Sequence, residues 1–162
     1  MSGRLQPAFW GGLFIGVLSA LPIVKYGNAC CCLWVVAGGV LAAWLAQANQ
    51  PHALKGADGA LLGLMAGLIG AIIAFPINLL FEDFERGWLL RFVETADAEI
   101  PAELRGMLEN GAASAIGRVF GLLTSLVMNA VFGLLGGLLG AVLFKKDAPP
   151  PPPGTVEVLP PL

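Results

Sequence analysis

The sequence predicts an all-α, polytopic membrane protein with four transmembrane helices and short amphipathic interfacial helices between the third and the fourth. Four long stretches contain no Asp, Glu, Lys or Arg: residues 7–24, 30–48, 59–81 and 119–144. About 20 apolar helical residues cross the roughly 30 Å hydrocarbon core of a bilayer. Backbone groups in lipid must be paired within the protein, and these stretches lack the alternation of barrel strands, so we expect helices.

The amino-acid composition supports a membrane protein and argues against a nucleic-acid partner. Hydrophobic residues make up 57% of the chain and charged residues 12%, whereas soluble domains have about 25% charged residues. The formal net charge of −2 argues against a nucleic-acid footprint, which needs a basic patch. The expected surroundings are therefore a lipid bilayer and no nucleic acid.

The first two helices form a predicted hairpin. The first, over 7–24, is expected to be retained, because Leu21-Pro22 makes a poor continuation of a signal-peptide cleavage site. A turn at residues 25–28 leads into the second helix, over 30–48. A polar connection follows, and Asp58 is expected to be the N-cap of the third helix.

The third helix is expected to end near Phe81, with Pro76 bending or unwinding its last turns. Residues 82–118 carry eight acidic and four basic side chains, a net of −4. Two amphipathic pieces, 84–93 and 101–108, are predicted to lie on the membrane surface. Residues 1–146 then form a single transmembrane domain, and the proline-rich residues 147–162 a disordered tail.

Four helices place both termini on one side of the membrane. The side with the termini carries four Lys or Arg residues, and the opposite side carries five. The arginines of the long loop, however, have acidic residues close by in the sequence. Lys145 and Lys146 stand nearly alone beside the fourth helix. The positive-inside rule therefore favours cytoplasmic termini in a bacterial inner membrane.

Small residues recur every four positions on all four helices. This spacing aligns them on one helix face, where another backbone can approach closely. The faces are expected to pack the bundle and also to serve self-association or partner membrane subunits. The predicted helix-packing residues are Gly12, Gly16, Gly59, Gly63, Gly67, Gly133, Gly137 and Gly140.

Two helix segments are echoed later in the chain. Residues 16–23 resemble 70–77, with a shared proline, and residues 38–43 resemble 136–141. A duplicated helical hairpin would explain both matches and would give a parallel repeat. The frequency of Gly, Ala and Leu in membrane helices is the alternative explanation.

Candidate chemical groups are few. Cys30, Cys31 and Cys32 are consecutive, so one helix cannot direct all three at one metal, and the spacing differs from that of structural zinc sites. They are expected to be small buried residues, with redox-active thiols as the alternative. Asn129 is expected to make an interhelical hydrogen bond within the membrane. His52 has no acid or cysteine partner nearby in sequence, so we expect no metal, cofactor or catalytic triad.

Two runs, Cys30-Cys31-Cys32-Leu33-Trp34 with Gly38-Gly39 and Asp58–Gly67, resemble small multi-pass inner-membrane proteins of bacteria without an assigned activity. In these proteins a cysteine-rich helix is followed by a glycine-zipper helix. The resemblance covers about the first 80 residues. It implies a multi-pass protein with short loops and transfers no functional residue.

Three functions are compatible with these features. The favoured one is a non-catalytic accessory or self-associating membrane component packed through Gly and Ala faces. The alternative is a homo-oligomeric channel or passive carrier lined by Asn129, Thr124 and Ser125. An enzyme or redox component using Cys30–Cys32 is the third. Charged residues are absent from the helix centres, which argues against proton-coupled transport.

Overall fold

The computed structural model describes residues 2–22, 24–29, 32–95, 101, 106 and 114–146. Within these ranges the chain is mostly helical and contains no strand. The elements are α1 (Ser2–Ala20), a 3-10 helix (Val24–Ala29), α2 (Leu33–Ala48), α3 (Gly56–Thr95) and α4 (Ala115–Leu143). Two of them, Gly56–Phe92 and Ala115–Leu143, are long and apolar enough to cross a membrane, and α2 is a shorter apolar helix.

The four helices form a bundle in which the order around the ring is α1, α3, α4, α2. Helices α2 and α3 also touch across the centre. Later residues of α1 contact later residues of α3, so these two helices run parallel, and the same holds for α2 and α4. The hairpin α3–α4 is therefore stacked on the hairpin α1–α2 in the same orientation.

Helix α3 differs from the prediction at both ends. It continues past Phe81 to Thr95 without interruption, so the prediction of a separate interfacial helix over 84–93 is wrong. Pro76 lies inside this continuous helix at an exposed position. Asp58 is the third residue of α3 and not its N-cap, since the Gly59 N–H already donates to the Lys55 carbonyl (3.0 Å).

The other helices agree with the prediction except near their ends. Helix α1 ends at Ala20, before Pro22, and α2 begins at Leu33. Both helices of the first hairpin are thus shorter than expected on the side of the 3-10 helix. Most of the predicted interfacial piece 101–108 and the whole of the proline-rich tail lie outside the described residues.

Charged groups mark the two ends of the bundle. At one end Arg4 pairs with Asp58 (3.0 Å), and the Lys146 ammonium donates to the Gln50 carbonyl (2.8 Å). At the other end Arg118 of α4 pairs with Glu82 of α3 (3.1 Å). From Asp58 to Glu82 a helix rises about 36 Å, at 1.5 Å for each residue-to-residue step. This distance exceeds the roughly 30 Å hydrocarbon core of a bilayer.

Candidate functional site

The interface between α3 and α4 is built from glycines in backbone contact. A methyl group on Gly59 would lie 2.6 Å from the Gly137 carbonyl oxygen, and one on Gly133 would lie 2.5 Å from that of Gly63. Methyl groups on Gly63, Gly67 or Gly137 would overlap the backbone of the opposing helix still more closely. Any side chain there would push the helices apart, so glycine sets the distance between them.

The remaining interfaces follow the same principle. A methyl group on Gly12 would lie 2.7 Å from the Ile69 Cβ, and one on Gly16 would lie 3.0 Å from the Gly70 carbonyl oxygen. On the α2–α4 side, a methyl group on Gly140 would lie 2.9 Å from the Val40 carbonyl oxygen. All eight predicted packing glycines thus contact other helices of the same chain.

A polar cluster holds the connection between α1 and α2. The Asn28 amide donates to the Ser19 hydroxyl (2.9 Å) and accepts from the Trp34 backbone N–H (3.1 Å), while the Trp34 indole donates to the Val24 carbonyl (2.7 Å). Asn28 therefore joins the end of α1 to the start of α2. These bonds satisfy polar groups of the 3-10 segment that joins two α-helices, which is required wherever such a segment lies at membrane depth.

A cavity of about 540 Å³ opens where this connection meets α3 and α4. It extends along α3 from Ala71 to Glu85 and along α4 from Ser125 to Gly117, and Ser19 and Asn28 complete its wall. It exists because α1 ends at Ala20 and α2 starts only at Leu33, whereas α3 and α4 continue. Gly121 lies on its wall, and a Cβ added there would have no atom within 4 Å among those considered.

Charged residues are concentrated at the outer end of this cavity. Glu82 accepts from Arg86 (2.9 Å) through one carboxylate oxygen and from Arg118 (3.1 Å) through the other. Glu85 also lines the cavity. The inner end contains uncharged polar groups, and Phe75, Leu79 and Leu122 provide an apolar wall. The arrangement can bind a small polar molecule and has apolar surface for part of it.

Asn129 follows Ser125, the last cavity-lining residue of α4, by one helical turn and is 9% exposed. Its amide nitrogen donates to the Ser125 carbonyl (2.8 Å) and hydroxyl (3.0 Å), both on its own helix. Its Oδ1 is buried without a hydrogen-bond partner among the described residues. The expected interhelical bond is thus replaced by a bond within α4. Ser125 is half-buried and Thr124 exposed, so the three residues of the proposed pore lining do not share one surface.

Of the other candidate groups, the structure describes only Cys32 and His52. Cys30 and Cys31 lie outside the described residues. Cys32 precedes α2 in a left-handed conformation (φ 52°), and its carbonyl accepts from the backbone N–H groups of Val35 and Val36. His52 is exposed. The described part of the chain has no group of three His, Cys, Asp or Glu side chains arranged to hold a metal ion.

Sequence reasoning named Ser125 as a candidate but missed the charged residues of the cavity and Asn28. Glu82 and Arg118 are the first charged residues beyond the apolar runs of α3 and α4, and this signal indicated an end of the membrane-spanning region but no site. Asn28 lies in a short turn, where asparagine is common for local reasons. Nothing in the local pattern indicated its bonds to Ser19 and Trp34.

Comparison with known proteins gives one positive result. No curated protein and no solved structure matches the chain. A family described as the MJ1491 transmembrane domain matches residues 5–146, which cover all four helices apart from the first residues of α1. Its description agrees with the apolar helices found here and names no activity. The chain belongs to the MJ1491 transmembrane domain family.

Proposed function

We propose that this protein is a non-catalytic accessory component of a bacterial inner membrane, crossing it four times with both termini in the cytoplasm. The supporting observation is the glycine packing at the middle of the bundle. Methyl groups on Gly39 and Gly63 would both overlap the backbone of α4 at Gly133. Backbones of α2, α3 and α4 therefore meet at one level, which gives the chain a tightly packed centre.

Such a centre suits a structural component better than a pore through one chain. Lipid provides little hydrophobic driving force for helix association, so close backbone contact must supply the dispersion energy. Because the predicted packing glycines are engaged inside the chain, contacts with other subunits are assigned to the outward faces of the helices. Exposed aliphatic side chains cover these faces, for example Val127, Val131 and Leu135 on α4.

A passive carrier is the second candidate, and the polar cavity is the observation that favours it. The cavity reaches Ser125, which bonds to the buried Asn129. A carrier would have to extend this path past the glycine contacts at Gly63 and Gly133 by separating α3 from α4. The two candidates thus differ in whether those helices move apart during function.

Native mass spectrometry of the tagged protein, gently extracted from its own membrane, tests the accessory role. A further protein of fixed stoichiometry supports it, and bare multiples of 16.8 kDa support self-association. A bare monomer that exchanges a small solute across vesicle membranes would contradict the accessory role and support the carrier. Locking α3 to α4 with a disulfide should leave assembly unchanged but should stop a carrier.

A further inference from the structure

We propose that the inner end of the cavity between α3 and α4 binds a small uncharged amide. The cavity volume of about 540 Å³ lies within the roughly 300–1,000 Å³ of typical small-ligand sites. The amide group would occupy the polar inner end, and an apolar part of the ligand would lie against Phe75, Leu79 and Leu122. This binding goes beyond both roles proposed above and depends on neither, because it requires no partner protein and no transport.

The charged side chains at the outer end of the cavity interact with one another. Glu82 binds Arg86 and Arg118, and Arg86 also lies 4.0 Å from Asp83. Glu85 has an interaction partner as well. A charged ligand would have to compete for these groups or enter the inner end, where the lining side chains are uncharged. Burying an ion there costs far more than burying a neutral polar group that is hydrogen-bonded, so the cavity favours an uncharged ligand.

Two serines in the cavity wall are arranged to donate hydrogen bonds. The Ser125 hydroxyl oxygen accepts from the Asn129 amide nitrogen (3.0 Å), and the Ser19 hydroxyl oxygen accepts from the Asn28 amide nitrogen (2.9 Å). Asn129 is buried, so its amide nitrogen holds Ser125 in this arrangement. Within the described part of the chain, neither hydroxyl donates to another group. Both hydroxyl hydrogens can therefore donate to a ligand carbonyl oxygen, which has two lone pairs.

Asn78 provides the complementary acceptor. Its side chain lines the cavity from α3, is part-buried and makes no hydrogen bond with the described residues. A carboxamide has a carbonyl acceptor beside an NH₂ donor, so the amides of Asn78 and of a ligand can pair through two hydrogen bonds. An amide ligand thus offers an acceptor to the serines and N–H donors to Asn78. A ligand that has only one of these functions would leave part of the wall unpaired.

The inference can be tested by ligand-detected NMR on the purified full-length protein in detergent, with benzamide as the probe. Benzamide joins a primary amide to an apolar ring. Gly121→Leu places a side chain in the cavity, where an added Cβ meets no atom within 4 Å. Gly87→Leu is the matched control, since Gly87 on α3 also has no atom within 4 Å of an added Cβ but does not line the cavity. Binding should be lost in Gly121→Leu and kept in Gly87→Leu, which separates binding in the cavity from partition into the micelle.

Two further pairs of variants test the polar groups. Asn78→Leu removes the amide, and Asn49→Leu is its control, since Asn49 is exposed and does not line the cavity. Ser125→Ala removes a hydroxyl, and Thr124→Ala is its control at an exposed position outside the cavity. Affinity for benzamide should fall about two- to tenfold in each cavity variant, as for loss of one neutral hydrogen bond, and should not change in the controls. Unchanged binding in both cavity variants would overturn the proposal, and so would an equal loss in the controls.

Two analogues of benzamide test the chemistry of the ligand. Benzoate has nearly the same shape but a negative charge, and benzyl alcohol is uncharged but lacks the carbonyl and the N–H groups. Both should bind in the cavity more weakly than benzamide, as judged by the difference between the natural protein and Gly121→Leu. Equal binding of benzoate would refute the preference for an uncharged ligand, and equal binding of benzyl alcohol would refute recognition of an amide.

Discussion

Gly63→Ala tests the glycine packing most sharply, because the added methyl group would meet two neighbouring backbone segments. It would overlap the Gly133 carbonyl oxygen and lie 2.8 Å from the Gly137 Cα. Ordinary van der Waals contact requires about 3.5–4.0 Å between carbon atoms, so α3 and α4 must separate by roughly 1 Å. No flexible side chain is available to absorb this shift, since both contacts are made by backbone atoms.

The cost of that separation can be estimated from dispersion. About 40 atom pairs at 0.1–0.2 kcal/mol each give about 6 kcal/mol, and a gap of up to 1 Å removes a quarter to a half of it. The loss is therefore about 1.5–3 kcal/mol, in the range measured for overpacked cores. Replacing glycine by alanine within a helix stabilises the helix by up to about 1 kcal/mol. Subtracting this gain from the loss gives an expected destabilisation of about 0.5–2 kcal/mol.

The assay is equilibrium unfolding in mixed micelles, followed by helical circular dichroism and tryptophan fluorescence. Gly87→Ala is the control on the same helix, because no atom lies within 4 Å of the Cβ position there. That variant should be as stable as the natural protein or more stable by up to about 1 kcal/mol. Equal stability of the two variants, or a more stable Gly63→Ala, would refute the packing argument.

Three further substitutions test local contacts in the same unfolding assay. Asn28→Ala should destabilise the protein by about 1–3 kcal/mol, because it removes two hydrogen bonds of a part-buried cluster. A single hydrogen bond contributes at least about 0.5 kcal/mol net, so a smaller loss would contradict the role assigned to Asn28. Gln47→Leu should lower the free energy of unfolding by about 1–3 kcal/mol, since it leaves the buried Leu54 N–H without the acceptor that lies 2.6 Å away. Gln47→Glu keeps an acceptor and should therefore lose less stability. Arg4→Gln should change stability by less than about 1 kcal/mol, because its ion pair with Asp58 is half-exposed; a larger, salt-insensitive loss would show that this end is buried.

The sequence indicates which residues of a helix share one face, but it does not indicate which helix packs against that face. Four-residue spacing places Gly59, Gly63 and Gly67 on one side of a helix by geometry alone, and the structure shows that side packed against α4. Spacing does not specify which helix covers a face. The ring order α1, α3, α4, α2 depends on matching surfaces between helices that are distant in sequence.

The cavity could not be predicted for a related reason. It results from helices of unequal length, since α1 stops at Ala20 while α3 continues past Phe81 to Thr95. The pattern around Pro76 predicted a kink or an end, because proline removes one helical hydrogen bond. The helix nevertheless continues, and Glu82 and Glu85 remain on it to line the cavity.

Membrane topology is the central claim, and thiol labelling tests it most directly. In a background with Cys30–Cys32 replaced by Ser, single cysteines at Arg4, His52 and Lys145 lie at one end of the bundle, and one at Asp83 lies near the other. With a membrane-impermeant reagent, the first three should label only in inverted inner-membrane vesicles and Asp83→Cys only in intact cells or spheroplasts. Labelling of Arg4→Cys and Lys145→Cys from opposite sides would contradict four crossings.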